Sequence, residues 1–333
     1  MRRRNPFRHV AAGAALALLF GANALATSLS PANPQVNRET LDYGLKPRQI
    51  AQDTWVIEGA VEDFTPDNGC NIINTGFIAT NEGVIVINTG PSRLYGEQQR
   101  KAIEKVSGGA PILHVLNLNL HPDYFFGNQA WKNREVEALP GTIAGQTAEG
   151  EAYADNLYRM CGDWMKGTES TPASHALQAG EVRLGGHDIK LVRLEGHTAD
   201  DLVLLDETTG VLFAGGLVFM DRVPTTPHAR FDAWQRSLAT MGNWVDESRV
   251  KTVVPSHGPV HAGAKGIEQT SAWLSWITKT MRDSAASGFD LSELLHQPVP
   301  TRFESWAAQP AELHRSLTQW YPQFEKAALV PNQ

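Results

Sequence analysis

Between residues 117 and 128 the chain reads NLNLHPDYFFGN, which places an imidazole (His121), a carboxylate (Asp123) and a phenol (Tyr124) within four positions. An imidazole nitrogen and a carboxylate oxygen two residues apart can meet on one cation, and zinc accepts both donor types. Alone, the same residues also describe a capped turn around Pro122. Two more histidines repeat the arrangement, His197 in Gly196-His197-Thr198 and His257 in Ser256-His257-Gly258, so that all three stand beside a glycine or a proline after an apolar run. Such neighbours let the backbone bend, and separate strands can then aim their side chains at one place. The recurrence favours a metal site over three unrelated turns.

The elements that must carry these side chains follow from periodicity. Residues 112–118 (ILHVLNL) predict a buried strand ended by Pro122, since proline donates no ladder hydrogen bond. His121 and Asp123 then lie in a loop at the C-terminal edge of a sheet, where ligands bind in open α/β folds. Upstream, 54–59, 71–80 and 83–88 are short β-branched runs separated by Gly, Asn, Asp and Pro, and predict strands. The charged segment 95–106 predicts a helix. Downstream come a helix over 147–165, strands over 188–194, 202–205 and 211–214, a helix over 232–244, and a strand over 250–254 leading into His257. Helices over 267–285, 291–296 and 310–328 complete the chain.

Composition narrows the class. Residues 1–26 begin with Arg2, Arg3, Arg4, Arg8 and His9, continue through AAGAALALLFGANALA, and end in Ala24-Leu25-Ala26. That pattern predicts a signal peptide cut near Ala26 and a periplasmic mature chain. The apolar run is shorter, and richer in Ala and Gly, than a membrane-spanning helix. Residues 27–48 read as an extended N-terminal segment. The remaining ~300 residues are enough for one large core. A formal charge of −7 with no basic cluster after residue 26 argues against nucleic acid and against an anionic membrane surface as partners. The only cysteines, Cys70 and Cys161, would close a disulfide in an oxidising compartment if their Cα atoms come within about 7 Å, which the sequence leaves open.

In order and spacing, the motifs resemble the metallo-β-lactamase fold superfamily from about Gln49 to Pro259. The family pattern is an Asp-x-Gly strand end, a His-x-His-x-Asp-His loop, a Gly-His-Thr turn, an Asp after a Gly, and a late Ser-His-Gly. Here the matching segments are Asn88-Thr89-Gly90, Asn119-Leu120-His121-Pro122-Asp123-Tyr124, Gly196-His197-Thr198, Gly215-Gly216 and Ser256-His257-Gly258. The leader, Asp67-Asn68-Gly69-Cys70-Asn71, Asn88-Thr89-Gly90-Pro91-Ser92 and the run from Gly196 to Asp201 further resemble exported zinc metallohydrolase-like proteins of the quinoprotein relay type. The resemblance implies an α/β fold, a four-layer αββα sandwich of two mixed β-sheets over 49–262, followed by a helical C-terminal extension over 263–333.

The departures from the pattern bear directly on chemistry. Asn119 and Tyr124 replace two histidines of the loop, Gly216 stands at the bridging aspartate position, and Asn88 replaces an aspartate that braces the site in relatives. The implied two-metal centre is therefore incomplete, and the surviving ligand set is His121, Asp123, His197 and His257. Three imidazoles and one carboxylate suit a single zinc ion, whose bound water would ionise near pH ~7. Asp123, if not a ligand, would serve as general base. Asn119 is a candidate to hold the attacking water and Tyr124 to donate to an oxyanion, or both fill the space of lost ligands. Asp201 caps or braces its turn, with His114 a packed core residue and His175, His187, His228 and His261 surface or structural. Tyr124, Phe125, Phe126 and Trp131 either pack the loop or line a pocket, Asp221 in the 219–226 loop is a remote substitute ligand, and the tryptophan-bearing C-terminal helices either cover the core or lid the site.

Two functions from different classes follow. One is a periplasmic hydrolase with a single zinc acting on an ester, thioester, lactone or amide carbonyl. The other is a catalytically reduced member that binds a small molecule, a quinone cofactor or a redox partner. A small-molecule substrate and a periplasmic quinoprotein dehydrogenase system are the expected partners.

Overall fold

All four residues of β4 (Val84–Ile87, VIVI) are buried, a pattern a strand shows only when both faces of its sheet are covered. The computed structural model describes residues 36–329. The predicted signal peptide lies outside the described residues. The first sheet has seven strands in sequence order. Strands β1 (Arg48–Ala51), β2 (Thr54–Ile57), β3 (Thr75–Ala79) and β4 pair antiparallel. Helix α1 (Arg93–Ser107) then crosses over to β5 (Ile112–Leu116), which lies parallel to β4 and is followed in parallel by β6 (Glu137–Ala138) and β7 (His175–Ala176). Between these stand the one-turn helix α2 (Pro122–Phe125) and the long α3 (Pro140–Cys161).

The second sheet holds β8 (Gly180–Leu184), β9 (His187–Leu194), β10 (Asp201–Asp206), β11 (Val211–Phe213), β12 (Thr252–Val254) and β13 (His261–Ala262). Only the β11–β12 pair is parallel, and α4 (Phe231–Asp246) makes that crossover. Helices α5 (Lys265–Ala286), α6 (Leu291–Leu295), α7 (Thr301–Glu304) and α8 (Ala311–Ala328) follow.

Period-two alternation distributes side chains between three packed layers. Ile85 and Ile87 of β4 join Leu202 and Leu204 of β10 in the core between the sheets. Val84 and Val86 face outward to Ile103 of α1 and to Trp131. Val203 and Leu205 face the opposite way, onto Trp234 of α4 and Trp273, Leu274 and Ile277 of α5. Each fully buried aliphatic of this kind contributes ~1.5–3 kcal/mol. The result is the αββα sandwich of two mixed sheets, with additional C-terminal helices. Trp273 and Trp306 of the C-terminal region are part of the second sheet's outer core rather than a separate layer.

Cys70 and Cys161 are disulfide-bonded at a Cα–Cα distance of 6.0 Å, tying the end of α3 to the turn before β3. Phe125 and Phe126 pack around this bridge with Tyr43, Tyr95 and Trp164. Trp131 packs outside the first sheet and Tyr124 between the sheets, so the aromatic residues of the loop serve packing.

Candidate functional site

Strand β5 ends at Leu116, and the following turn is held by asparagines. Asn88, at φ 59°, accepts the Leu118 backbone N–H on its side-chain oxygen at 2.9 Å. An amide oxygen thus braces the turn, and the left-handed backbone suits asparagine. Asn117 and Asn128 bond to each other, at 2.8 and 3.0 Å, behind the loop. His121 then takes the N-cap position of α2, with Pro122 opening the helix rather than only ending a strand.

His197 is brought in by the turn between β9 and β10. Gly196 has φ 154°, and a Cβ there would fall 2.3 Å from the Trp234 Cα, so α4 can approach only because the residue is glycine. The ring of His197 lies 4.6 Å from that of His121, nearly perpendicular to it. His257 follows β12 in a turn held by Asn74, whose amide donates to the carbonyls of Pro255 and Gly258. Asp123 and His257 face each other with 3.4 Å between Oδ2 and Nε2.

All four predicted ligands reach one region, but in two pairs. His257 Nδ1 donates to the Ile72 carbonyl at 2.8 Å, which leaves its Nε2 lone pair toward Asp123. His197 is engaged at both nitrogens, by the Asn119 amide at 3.4 Å and by Thr225 Oγ1 at 3.2 Å. His121 Nε2 is engaged by His228 Nδ1 at 3.0 Å. Among the described residues no three His, Cys, Asp or Glu side chains surround a common point suited to a metal ion. The donor types suit zinc, but His197 has both ring nitrogens engaged by protein partners, while His121 and His257 each keep one free. Convergence of His121, Asp123, His197 and His257 on one ion is therefore not seen in this arrangement.

Electrostatics keep the imidazoles neutral. Burial, reinforced by His197 and His228, holds the pKa of His121 well below its ordinary value. Burial, with His257, His228 and Arg222, does the same for His197. Burial and Arg222 do so for His257. Burial pushes Asp123 up to about 7 even though Arg222 opposes the shift. Asp201, also buried, is pushed up to about 7.

The remaining sequence candidates divide. Asn119 donates to Asp201 Oδ1 at 2.6 Å and accepts the His121 backbone N–H at 3.1 Å, so its amide is spent on structure. Asp201 also receives the Thr198 N–H and hydroxyl, bracing the turn. Tyr124 is fully buried in the inter-sheet core, and its hydroxyl has no hydrogen-bond partner among the described residues. Asp221 pairs reciprocally with Gln269, its backbone N–H donating to Gln269 Oε1 and its carboxylate accepting from Gln269 Nε2, and it does not line the cavity over His121, Asp123 and His257. His114 is half-buried and ion-paired to Glu137 at 2.7 Å, not a packed core residue. His187 is a buried structural residue on Asp206, and His261 accepts the Gly266 N–H at the start of α5.

Three residues that periodicity does not reveal complete the site. His228, expected to be surface or structural, bonds to His121 and to Glu149 Oε1 at 2.9 Å. Arg222 is fully buried, donates to the Glu62 and Val223 carbonyls, and keeps one guanidinium nitrogen without a hydrogen bond. Thr225 bonds to His197 and lines the cavity. The only sequence signal was the 219–226 loop itself. That loop is held by α8, where Ser316 pairs with Thr226 and Trp320 Nε1 donates to the Thr226 carbonyl.

A cavity of about 130 Å³ lies over His121, Asp123 and His257, walled by Ile72, Tyr153 and Thr225. It shares Phe64, Asn156, Thr225 and Pro227 with an outer cavity of about 370 Å³ that α8 borders through Arg315 and Gln319. C-terminal helices thus both cover the core and border the entrance.

A model of the metallo-beta-lactamase superfamily matches residues 68–257, more than half of the chain, and the chain belongs to that superfamily. Solved structures agree on the fold. A metallo-beta-lactamase from Pontibacter korlensis is 19% identical, with TM-score 0.55, over 69% of this chain and 99% of that one. The FIM-1 metallo-beta-lactamase from Pseudomonas aeruginosa, in its mono-zinc form, is 18% identical, with TM-score 0.54, over 70% and 95%. A metallo-beta-lactamase from Hirschia baltica gives 18% and 0.52 over 69% and 97%. No curated protein matches the chain. Among the described residues no helix is long and apolar enough to cross a membrane.

Proposed function

We propose that this protein is a hydrolase of the metallo-beta-lactamase superfamily that acts on a small carbonyl compound, an ester, thioester, lactone or amide, at a reduced site. The observation that carries the reading is the buried Asp123–His257 pair facing across 3.4 Å at a cavity large enough for a small acyl group. A carboxyl held near pH 7 is poised to accept a proton from water. Water bonded to Asp123 forms the new C–O bond and its proton passes to the pair. Collapse of the tetrahedral species breaks the bond to the leaving group, which takes that proton back.

A single zinc on His121, Asp123, His197 and His257, as the resemblance implies, would have to displace Asn119 or Thr225 from His197, whereas Nδ1 of His121 and Nε2 of His257 have no hydrogen-bond partner among the described residues. Export to the periplasm is part of the proposal, supported by the leader-like residues 1–26 and by the Cys70–Cys161 bridge, which suits an oxidising compartment. A link to quinoprotein alcohol oxidation rests on motif resemblance.

The second reading, binding without turnover, is favoured by the Asn119 amide being committed to Asp201 rather than to a water. Turnover of p-nitrophenyl acetate and of a short acyl thioester by the mature protein, compared with His257→Gln, separates the two. Turnover that falls in the variant supports the hydrolase. Ester binding with no turnover by the wild type supports the second reading.

A further inference from the structure

His228 is bonded at both ring nitrogens, and its partners are of opposite kinds. Its Nε2 meets Glu149 Oε1 at 2.9 Å, and its Nδ1 meets His121 Nε2 at 3.0 Å. A carboxylate only accepts, so Nε2 of His228 must carry the hydrogen. In a neutral ring Nδ1 is then the acceptor, and His121 must donate from its own Nε2. The lone pair of His121 is left on Nδ1, which has no hydrogen-bond partner among the described residues, in a ring that lines the cavity.

The arrangement is held on two sides. Helix α3 sets Glu149 and Tyr153 four residues apart on one face, and the Tyr153 hydroxyl donates to the second Glu149 oxygen. Helix α8 fixes the segment carrying His228, with Gln319 Nε2 donating to the Pro227 carbonyl at 2.6 Å and Trp320 to the Thr226 carbonyl at 2.9 Å.

We infer that Glu149 and His228 form a positioning relay that locks His121 in its Nε2–H tautomer, so that the pocket offers an Nδ1 acceptor to a hydroxyl, water or amine of the bound molecule. The inference deepens the proposed site but does not depend on turnover. It assigns Glu149 and His228 no contact with substrate. It also sets ligand chemistry, since a group that can only accept gains nothing at His121.

The test is tautomer assignment by NMR on the mature chain labelled with 15N in histidine, above pH 8 so that rings are neutral. His121 and His228 should both carry hydrogen on Nε2, and Glu149→Ala should move their two ring-nitrogen resonances toward a common average while the remaining spectrum is preserved. Wild-type protein with the His121 hydrogen on Nδ1 would overturn the relay, a result that needs no variant to fold. So would Glu149→Ala protein with both tautomers unchanged. Loss of hydrolysis, or its absence, affects neither outcome, so the relay and the hydrolase reading fail separately.

Discussion

A Cβ built on Gly216 falls 2.1 Å from His197 Nδ1, so the imidazole occupies the space that a ligand-bearing side chain at position 216 would need. The Asn119 amide nitrogen, at 3.0 Å from the same point, closes the gap further. His197 and Asn119 therefore leave no room for a larger side chain at position 216.

Placing a metal-binding side chain at position 216 is expected to cost stability without creating a metal centre. Gly216→Cys and Gly216→Asp should lose about 1–3 kcal/mol of stability, the usual range for overpacking a filled site. Urea unfolding measures the loss, and zinc content of the same samples should not rise.

Tyr124 is expected to be dispensable as a phenol. Its hydroxyl is buried and unpaired among the described residues, and removing an unsatisfied polar group from a core relieves a desolvation penalty of about 1–3 kcal/mol. Tyr124→Phe should be as stable as the wild type or more so, with hydrolysis within about threefold. A large fall in rate would return a catalytic role to the phenol.

Asp201 should prove structural. It receives three hydrogen bonds, from the Thr198 N–H, the Thr198 hydroxyl and the Asn119 amide. Asp201→Ala leaves buried donors unpaired at about 1–3 kcal/mol each. Thermal unfolding of the variant should show one of the larger losses of any single substitution in the site.

Burial of the Asp123 carboxyl ties stability to pH. Its folded pKa, about 7, lies above the ordinary carboxyl value. The folded chain thus binds this proton more tightly, so that stability is favoured while the group is protonated and is lost as pH rises from about 4 through 7. Asp123→Asn should match the wild type in stability near pH 4, exceed it at pH 8, and lose hydrolysis by at least about 100-fold. The wild-type rate should rise through about pH 7 as the carboxylate forms.

His114 gives a pH effect of the same sign in a higher pH window. The hydrogen bond to Glu137 raises its pKa, against burial. The contribution is fully present below the unfolded value of about 6.5 and disappears as pH rises through the raised folded value. Because the pair is partly exposed it is worth about 1 kcal/mol or less. Glu137→Gln should remove that pH dependence, measured by urea unfolding at pH 5.5 and 8.5.

The sandwich was legible because its strands are buried on both faces and so appear as dense β-branched runs, as in VIVI of β4. Short pairings such as β6, β7 and β13 carry too few residues for any period, and β1 is only partly buried. His121, Asp123, His197 and His257 were visible because glycine or proline marks each turn. His228, Glu149 and Arg222 were not, because tertiary packing of α3, α8 and the 219–226 loop brings them in from elements without a local motif. The pairing of ligands with protein partners was likewise invisible, since spacing fixes where a side chain starts and its neighbours fix which atom it offers.

The most direct test of the central claim measures zinc content and p-nitrophenyl acetate hydrolysis of the mature protein before and after chelation, beside Asp123→Asn. The account predicts well under one zinc per chain, a rate unchanged by the chelator, and loss of that rate in the variant. One tightly held zinc per chain whose removal abolishes hydrolysis, or a variant as active as the wild type, would contradict it.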